Sequence, residues 1–248
     1  MTRDLIKVKR PKKVVFPFPK DACIVTVATA AHFLAGQQRL ANSVKEWGDG
    51  VAMLNWQGFL PPGSPPHQAV PYAFKAYAIK AARDMGFKKI LWLDTSMYMM
   101  AGWEGFWELL EERGNLFWQC DLEHCGFLCS DAALVLLGKT RESLMSVPLV
   151  QGGVFALDFL HPRTNVIWAY YWKHVHSGAL IGHWSPKQGF VSDDKRVIGH
   201  RHDMPILSIA CADNDVSLIQ QPNYFTYPGR DNLDNNHICI KLERRPIP

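Results

Sequence analysis

The sequence predicts an α/β domain, a mostly parallel sheet with helices on both faces, over residues 21–248 behind a basic arm of residues 1–20. Three stretches carry that prediction. Residues 22–29 (ACIVTVAT) are a β-branched apolar run, residues 37–47 have helix-forming character, and residues 51–55 (VAMLN) return to strand character, which together make a βαβ unit. Residues 90–93 (ILWL) are continuously apolar, as a strand covered on both faces must be, and Asp94 follows at once. Residues 147–159 (VPLVQGGVFALDF) set two apolar runs on either side of Gln151-Gly152-Gly153.

Taken in order, residues 30–33 are expected to form the loop that ends the first strand. The helix of residues 37–47 turns Leu40, Val44 and Trp47 to one face, and Gly48 and Gly50 close it. Residues 56–68, rich in Pro and Gly, form a loop long enough to suggest a functional role. Pro71 suits the first turn of a second helix, through Ala73, Ala76, Ile79 and Ala81, and Gly86 suits its left-handed stop. Beyond Asp94 the spacing of Trp103, Phe106, Trp107 and Leu110 predicts a helix over 102–112 with a core face. A strand is expected over 116–120, a helix over 130–138 capped by Ser130 or Asp131, and a short helical turn from Thr140 through Leu144. The paired glycines imply a bulge or a close approach to the backbone. Residues 165–176 form an aromatic helix burying Trp168, Tyr171, Trp172 and Val175, with His174 and His176 in surface or packing roles. Residues 199–212 place Asp203 at the start of a further helix, where an anion is favoured. Residues 218–220 read as a short edge strand, and residues 224–237 as polar and turn-rich.

A carboxylate at the carboxyl end of a buried strand stands where open α/β sheets bind ligands, and Asp-Thr-Ser is also good turn chemistry, so Asp94 has two readings. The order of Pro71, Lys75, a helix, an apolar strand with Trp92 and then Asp94 resembles nucleotide-sugar-dependent glycosyltransferases of the GT-A fold. Those enzymes end this strand in Asp-x-Asp; here Asp94-Thr95-Ser96 keeps the first carboxylate and replaces the second by a hydroxyl, a poorer ligand for Mn²⁺ or Mg²⁺. The resemblance implies transfer of a sugar from a nucleoside diphosphate sugar to a hydroxyl of a glycan, small molecule or modified nucleobase. It implies donor contacts at Val27, Ala28, Thr29, Asn55, Lys75, Asp94, Thr95, Ser96, Gln151, Gly152 and Gly153, with Lys75 near the diphosphate and the glycine pair presenting backbone groups to the sugar. Arg201 and Asp203 match an Arg-x-Asp-Gln segment in which the Asp contacts sugar or acceptor, giving both a catalytic role, although Met204 replaces the Gln. A divalent cation, Mn²⁺ or Mg²⁺, would take Asp94 and a late histidine, His237. The loss of the second Asp and of the Gln also supports an alternative, a non-catalytic nucleotide-sugar or glycan-binding protein with a decayed transferase site.

Composition sets the outer limits. With 48% hydrophobic and 20% charged residues the chain has an ordinary globular balance that excludes wholesale disorder, and nine tryptophans suit stacking on bases or sugar rings as well as a core. No apolar run approaches the ~20 residues that span a bilayer, and no apolar segment follows the basic N-terminus, so a cytoplasmic protein without a membrane anchor is expected. Arg3, Lys7, Lys9, Arg10, Lys12 and Lys13 face only Asp4, which makes the arm a solvated tail or a contact for nucleic acid. The six cysteines form no regular framework. Cys120, Cys125 and Cys129, with His124 among them, leave zinc ligation and simple burial both open, at a spacing unlike the usual paired-cysteine sites.

Overall fold

The computed structural model describes residues 19–48, 50–100, 103, 105–221, 223–227 and 238–242. Strands β1 (Ala22–Ala28), β2 (Ala52–Gln57), β3 (Lys89–Leu93), β5 (Asn115–His124) and β6 (Pro148–Asp158) form one sheet in the order β2-β1-β3-β6-β5. β1 pairs in parallel with β2 and with β3, while β6 runs antiparallel to both β3 and β5. The sheet is therefore mixed, its expected parallel character holding on the β2-β1-β3 side. Three further strands, β4 (Met97–Met99), β8 (Ile238–Leu242) and β7 (Tyr224–Thr226), make a small sheet in that order.

Alternation along the strands explains how one sheet is covered on both faces. Cys23, Val25, Val27, Ile90, Trp92, Phe117, Phe155 and Leu157 point into one core. With them pack α2 (Ala73–Asp84), α4 (Asp131–Leu137), α6 (Pro162–Val175) and α7 (Asp203–Ala212). Ala22, Ile24, Leu91, Leu93, Leu116, Trp118, Val154 and Ala156 point into the other, with α1 (Ala31–Trp47), α3 (Phe106–Arg113) and the small sheet. All five residues of β3 are buried, as its unbroken apolar run requires.

The helix boundaries follow local chemistry. Gly86 leaves α2 at φ +99°, and Gly138 follows α4 at φ +63°. Ser130 caps α4 by accepting from the amide of Ala133, and Thr140 caps α5 (Arg141–Leu144) by accepting from Ser143. Trp103, Phe106, Trp107 and Leu110 are all buried, as their spacing predicts.

Several expectations need correction. Residues 31–33 belong to the first turn of α1, because Ala, His and Phe there have helical neighbours and no breaker precedes them. Pro71 lies just outside α2, whose N-cap is Tyr72 in the left-handed region at φ 60°. Residues 224–226 are strand rather than turn, while His174 is buried and takes the packing role of the two expected for it. Residues 218–220 contribute a single bridge, Trp118 to Ile219. The bulge expected at the glycine pair is present: Phe117 faces Phe155 but Gln119 faces Val150, so residues 151–154 of β6 stand opposite Trp118 alone, and a second shift toward His124 places extra residues on β5. Most of the basic arm, residues 1–18, and His237 lie outside the described residues.

Candidate functional site

β3 ends at Leu93 and Asp94 turns the chain away, its amide donating to the carbonyl of Gly153 at 2.9 Å while its own carbonyl accepts from Met97. The carboxylate is fixed from below by the Trp92 indole, whose Nε1–H donates to Oδ1 at 2.9 Å. Lys75, near the start of α2, reaches the same point from the overlying helix. Its Nζ lies 2.7 Å from the carbonyl of Gly152, 2.9 Å from Asp203 Oδ2 and 3.7 Å from Asp94 Oδ1. Tyr72 and Trp92 turn their ring faces to the ammonium at 4.9 and 5.6 Å. Lys75 and Asp203 are each 2% exposed, whereas the Asp94 side chain is 33% exposed.

These distances decide the charge states. Burial alone would push the Lys75 ammonium toward neutrality, but Asp203 and Asp94 outweigh it and hold its pKa above the ordinary lysine value. Burial raises the Asp203 carboxyl, and Lys75 offsets that only in part. The centre is thus one lysine cation close to two acidic side chains, with the Gly152 carbonyl and Asp203 within hydrogen-bond distance and Asp94 farther off.

The two glycines make this assembly possible. A Cβ on Gly152 would lie 2.8 Å from Met204 Cγ and 3.4 Å from both Asp203 Oδ2 and Lys75 Nζ; one on Gly153 would lie 2.6 Å from Met97 Cε and 3.2 Å from Asp94 Oδ2. It is the protein's own side chains that approach the backbone here. Gln151 folds back in the same way: its Oε1 accepts from the amide of Gly153 at 3.0 Å and its Nε2 donates to the Tyr227 hydroxyl.

Above this centre opens a cleft of about 770 Å³. Lys75, Asp94, Gln151, Gly152, Gly153, Arg201 and Asp203 line it, so residues from four distant segments meet at one cleft. Other predicted residues stand apart. Val27 and Ala28 are core side chains of β1, Thr29 follows them, and Asn55 sits on the outermost strand, two strands from β3. Thr95 is buried with its carbonyl against Gly36, and the carbonyl of Ser96 accepts from Arg39, so both follow the turn toward α1 rather than lining the cleft. A smaller cleft of about 370 Å³, between the end of α2 and α6, contains none of the predicted residues.

The cleft also holds residues that the sequence did not single out. Tyr72 and Trp184 stand at its mouth, and Arg201 stacks over the Trp184 ring at 3.8 Å. His202, at φ 52° before α7, packs on both Tyr72 and Trp184 with ring centroids 5.3 and 5.8 Å apart. An aromatic residue in a Gly- and Pro-punctuated segment just before Arg-x-Asp was the available signal for Trp184. Asp121 and Glu123 line the cleft from the irregular end of β5, Asp121 at φ 44°, and no pattern in the sequence announces them.

His202 and His200 anchor the far wall as neutral rings. His202 Nδ1–H donates to the carbonyl of Leu180, while His200 accepts from the Ser130 amide and donates to Ala179. Burial lowers His200 to about 3 and His202 to about 4. Cys120, Cys125 and Cys129 are not poised for chemistry. Burial, reinforced by Glu123 Oε2 at 3.1 Å, pushes the Cys120 thiol up to about 12, and Cys125 and Cys129 are buried and raised too. Among the described residues no group of three His, Cys, Asp or Glu side chains is arranged to hold a metal ion, which removes zinc at Cys120, Cys125 and Cys129 with His124.

No protein-family model matches the chain, and neither does any curated protein. Among solved structures, the chain is similar to mouse xyloside xylosyltransferase 1 in its apo form, at 11% identity and a TM-score of 0.47, over 92% of this chain and 99% of that one. It is similar to the galactosyltransferase LgtC bound to donor and acceptor sugar analogs, at 12% identity and a TM-score of 0.39, over 90% of this chain and 87% of that one. A glycosyltransferase involved in the glycosylation of the major capsid of PBCV-1 aligns over 60% of this chain and 65% of its own, at 12% identity and a TM-score of 0.31. At TM-scores below 0.5 these likenesses carry no weight by themselves; the structural neighbours they name are glycosyltransferases.

Proposed function

We propose that the protein is a glycosyltransferase of GT-A type that moves a sugar from a nucleoside diphosphate sugar to a hydroxyl acceptor. The observation that carries this reading is the convergence of Lys75, Asp94, Gly152, Gly153 and Asp203 on one cleft beyond the carboxyl end of β3. In the reaction the acceptor oxygen bonds to the anomeric carbon, the bond from that carbon to the diphosphate breaks, and the acceptor proton passes to a base. Asp94, the more exposed carboxylate, accepts hydrogen bonds from the donor's ribose. Asp203 orients the sugar or takes the proton, a role that requires hydrogen-bond reach to the acceptor hydroxyl. Lys75, which donates to the Gly152 carbonyl and pairs with Asp203, is proposed to stand near the diphosphate and to cancel carboxylate charge that would otherwise repel it. Val27, Ala28 and Thr29 are proposed to meet the nucleotide through the end of β1, with Asn55 beside them.

The residues for a divalent cation do not form a metal centre. Asp94 already accepts from Trp92, Asp203 is committed to Lys75, and His237 lies outside the described residues. A Mn²⁺ or Mg²⁺ ion would have Asp94 as its carboxylate and draw its other ligands from the donor's phosphates and water, and no step here depends on it. Calorimetry is expected to find weak Mn²⁺ binding to the free protein and tighter binding with nucleoside diphosphate; tight binding to the free protein would reveal ligands beyond those named.

The closed hydrogen bonding of Gln151 favours the second reading, a nucleotide-sugar or glycan-binding protein without turnover. A panel of sugar nucleotides, scored by thermal shift and by released nucleoside diphosphate, separates the two. Transferase activity predicts release that is lost in Asp203→Asn and a weaker donor in Asp94→Asn. Binding without release, from any donor with or without Mn²⁺, supports the second reading. The basic arm's contact with nucleic acid, in which a modified base would be the acceptor, predicts salt-dependent DNA binding that deletion of residues 1–13 weakens.

A further inference from the structure

The wall formed by Trp184 and Arg201 has a chemistry beyond the catalytic role that the resemblance implies for Arg201. Arg201 lies face-on to the Trp184 ring at 3.8 Å, and among the described residues its guanidinium has no hydrogen bond or ion pair. Trp184 is held from behind by His202 and Tyr72, and His202 is fixed by its bond to Leu180. A guanidinium held flat by an aromatic ring loses little freedom on binding and presents its N–H fork in one plane, the geometry that matches a carboxylate or phosphate.

The position of this fork separates it from the donor end. The Arg201 amide donates to the carbonyl of Leu128, just beyond β5, so Arg201 stands over the β5 side of the sheet. Between it and β1, where the nucleotide is expected, lie β6 and β3. Three acids that line the same cleft have other partners. Asp203 pairs with Lys75, Asp94 lies at 3.7 Å from the same ammonium, and Glu123 accepts from the Cys120 thiol. Asp121 and Glu123 line the cleft from β5 and are placed to accept from sugar hydroxyls.

We propose that Arg201, held flat by Trp184, binds an oxyanion on the acceptor, so that the acceptor class is a sugar bearing a carboxylate or a phosphate. The inference rests on the transferase reading above. Its test compares methyl glucuronide and methyl glucoside 6-phosphate with neutral methyl glucoside, and likewise for the galacto series. Binding is measured by calorimetry on the full chain saturated with nucleoside diphosphate, and turnover by acceptor-stimulated release from the sugar nucleotide. A charge-assisted bidentate contact predicts a preference for the acid over its neutral parent of roughly tenfold to hundredfold. That preference is expected to collapse toward one in Arg201→Gln and to survive in part in Arg201→Lys, which keeps the charge without the fork. Trp184→Phe should retain more of it than Trp184→Ala. Whether the carboxylate or the phosphate series shows the larger preference identifies the source of the oxyanion.

Neutral glycosides that bind as tightly as both acids overturn the proposal. So does an Arg201→Gln protein that keeps the preference, or that loses donor affinity alone. Should no donor be turned over at all, the transferase reading fails, while an acid preference that depends on Arg201 would still establish an acidic-sugar site. Thermal unfolding of each variant distinguishes these effects from misfolding.

Discussion

Two lysines stand at opposite ends of the central sheet and are buried to a similar degree, yet they do different things. Lys89 opens β3 and is 7% exposed; its ammonium reaches Asp21 at 3.4 Å and Glu111 at 3.3 Å, and those acids are 37% and 56% exposed. Lys75 lies over the other end of β3, where it shares its charge between a fully buried Asp203 and Asp94. The first is an aliphatic stem covered by apolar neighbours with its head among solvated partners, an arrangement that costs little. The second removes two full charges from water, and a buried ion pair of that kind is commonly no more stable than an apolar replacement. The pair lies beneath the cleft, with backbone in the left-handed region at Tyr72 and His202 on either side, and the transferase proposed above gives it a use that stability does not.

Removing each lysine breaks the comparison most directly. Lys75→Met leaves Asp203 buried without its partner and is expected to destabilise by roughly 3–5 kcal/mol, lowering the melting temperature by roughly 6–20 °C. Lys89→Met should cost less than about 1 kcal/mol, since its partners return to water. The double variant Lys75→Met/Asp203→Leu should recover most of the lost stability by replacing the pair with apolar groups, yet give no donor turnover. Equal losses at Lys75 and Lys89, by thermal and denaturant unfolding, would show that the two ends are energetically alike.

Acid sharpens the contrast, because the Lys75 end also carries the two buried neutral histidines. The unfolded chain protonates His200 and His202 near 6.5, whereas the folded protein resists until about 3 and about 4. Between these values the unfolded state binds more protons, so stability is full above about 6.5 and falls as the pH drops toward 4. The loss is on the order of a few kcal/mol for each ring. His202→Gln should flatten this slope by about one proton in a pH series of melting curves. An unchanged slope would mean that His202 is already charged in the folded state. Lys75 acts at the opposite extreme: its raised pKa means that its contribution is present below the ordinary lysine value and lost only as the pH climbs beyond it.

The smallest effect concerns the glycine pair. Gly153→Ala drives a methyl to 2.6 Å from Met97 Cε, a flexible side-chain end, and is expected to cost roughly 1–3 kcal/mol. Met97→Ala in that background should return part of the cost by making room. If the second change brings no recovery, the clash lies with Asp94 Oδ2 at 3.2 Å instead, and the glycine guards the carboxylate rather than the packing.

Periodicity and turn chemistry by themselves determined the order of most strands and helices and marked part of the candidate site. The apolar run before Asp94 suggested a strand covered on both faces, Gly86 and Ser130 set helix ends, Asp94 and the glycine pair stood out where they end or interrupt apolar runs, and Lys75 and Asp203 were marked by the resemblance to GT-A enzymes. Tertiary structure alone decided the rest. The direction of β6 depends on a long connection whose course no local signal reports. Asp121 and Glu123 enter the cleft through a strand irregularity, and Trp184 reaches it through a segment without period. Most of all, only the tertiary structure shows that Lys75, expected near a diphosphate, also donates to the Gly152 carbonyl and pairs with Asp203, with Asp94 at 3.7 Å. Sequence spacing can bring a cation to a site, but which acceptors take its protons depends on three-dimensional distances between segments as far apart as residues 75, 152 and 203.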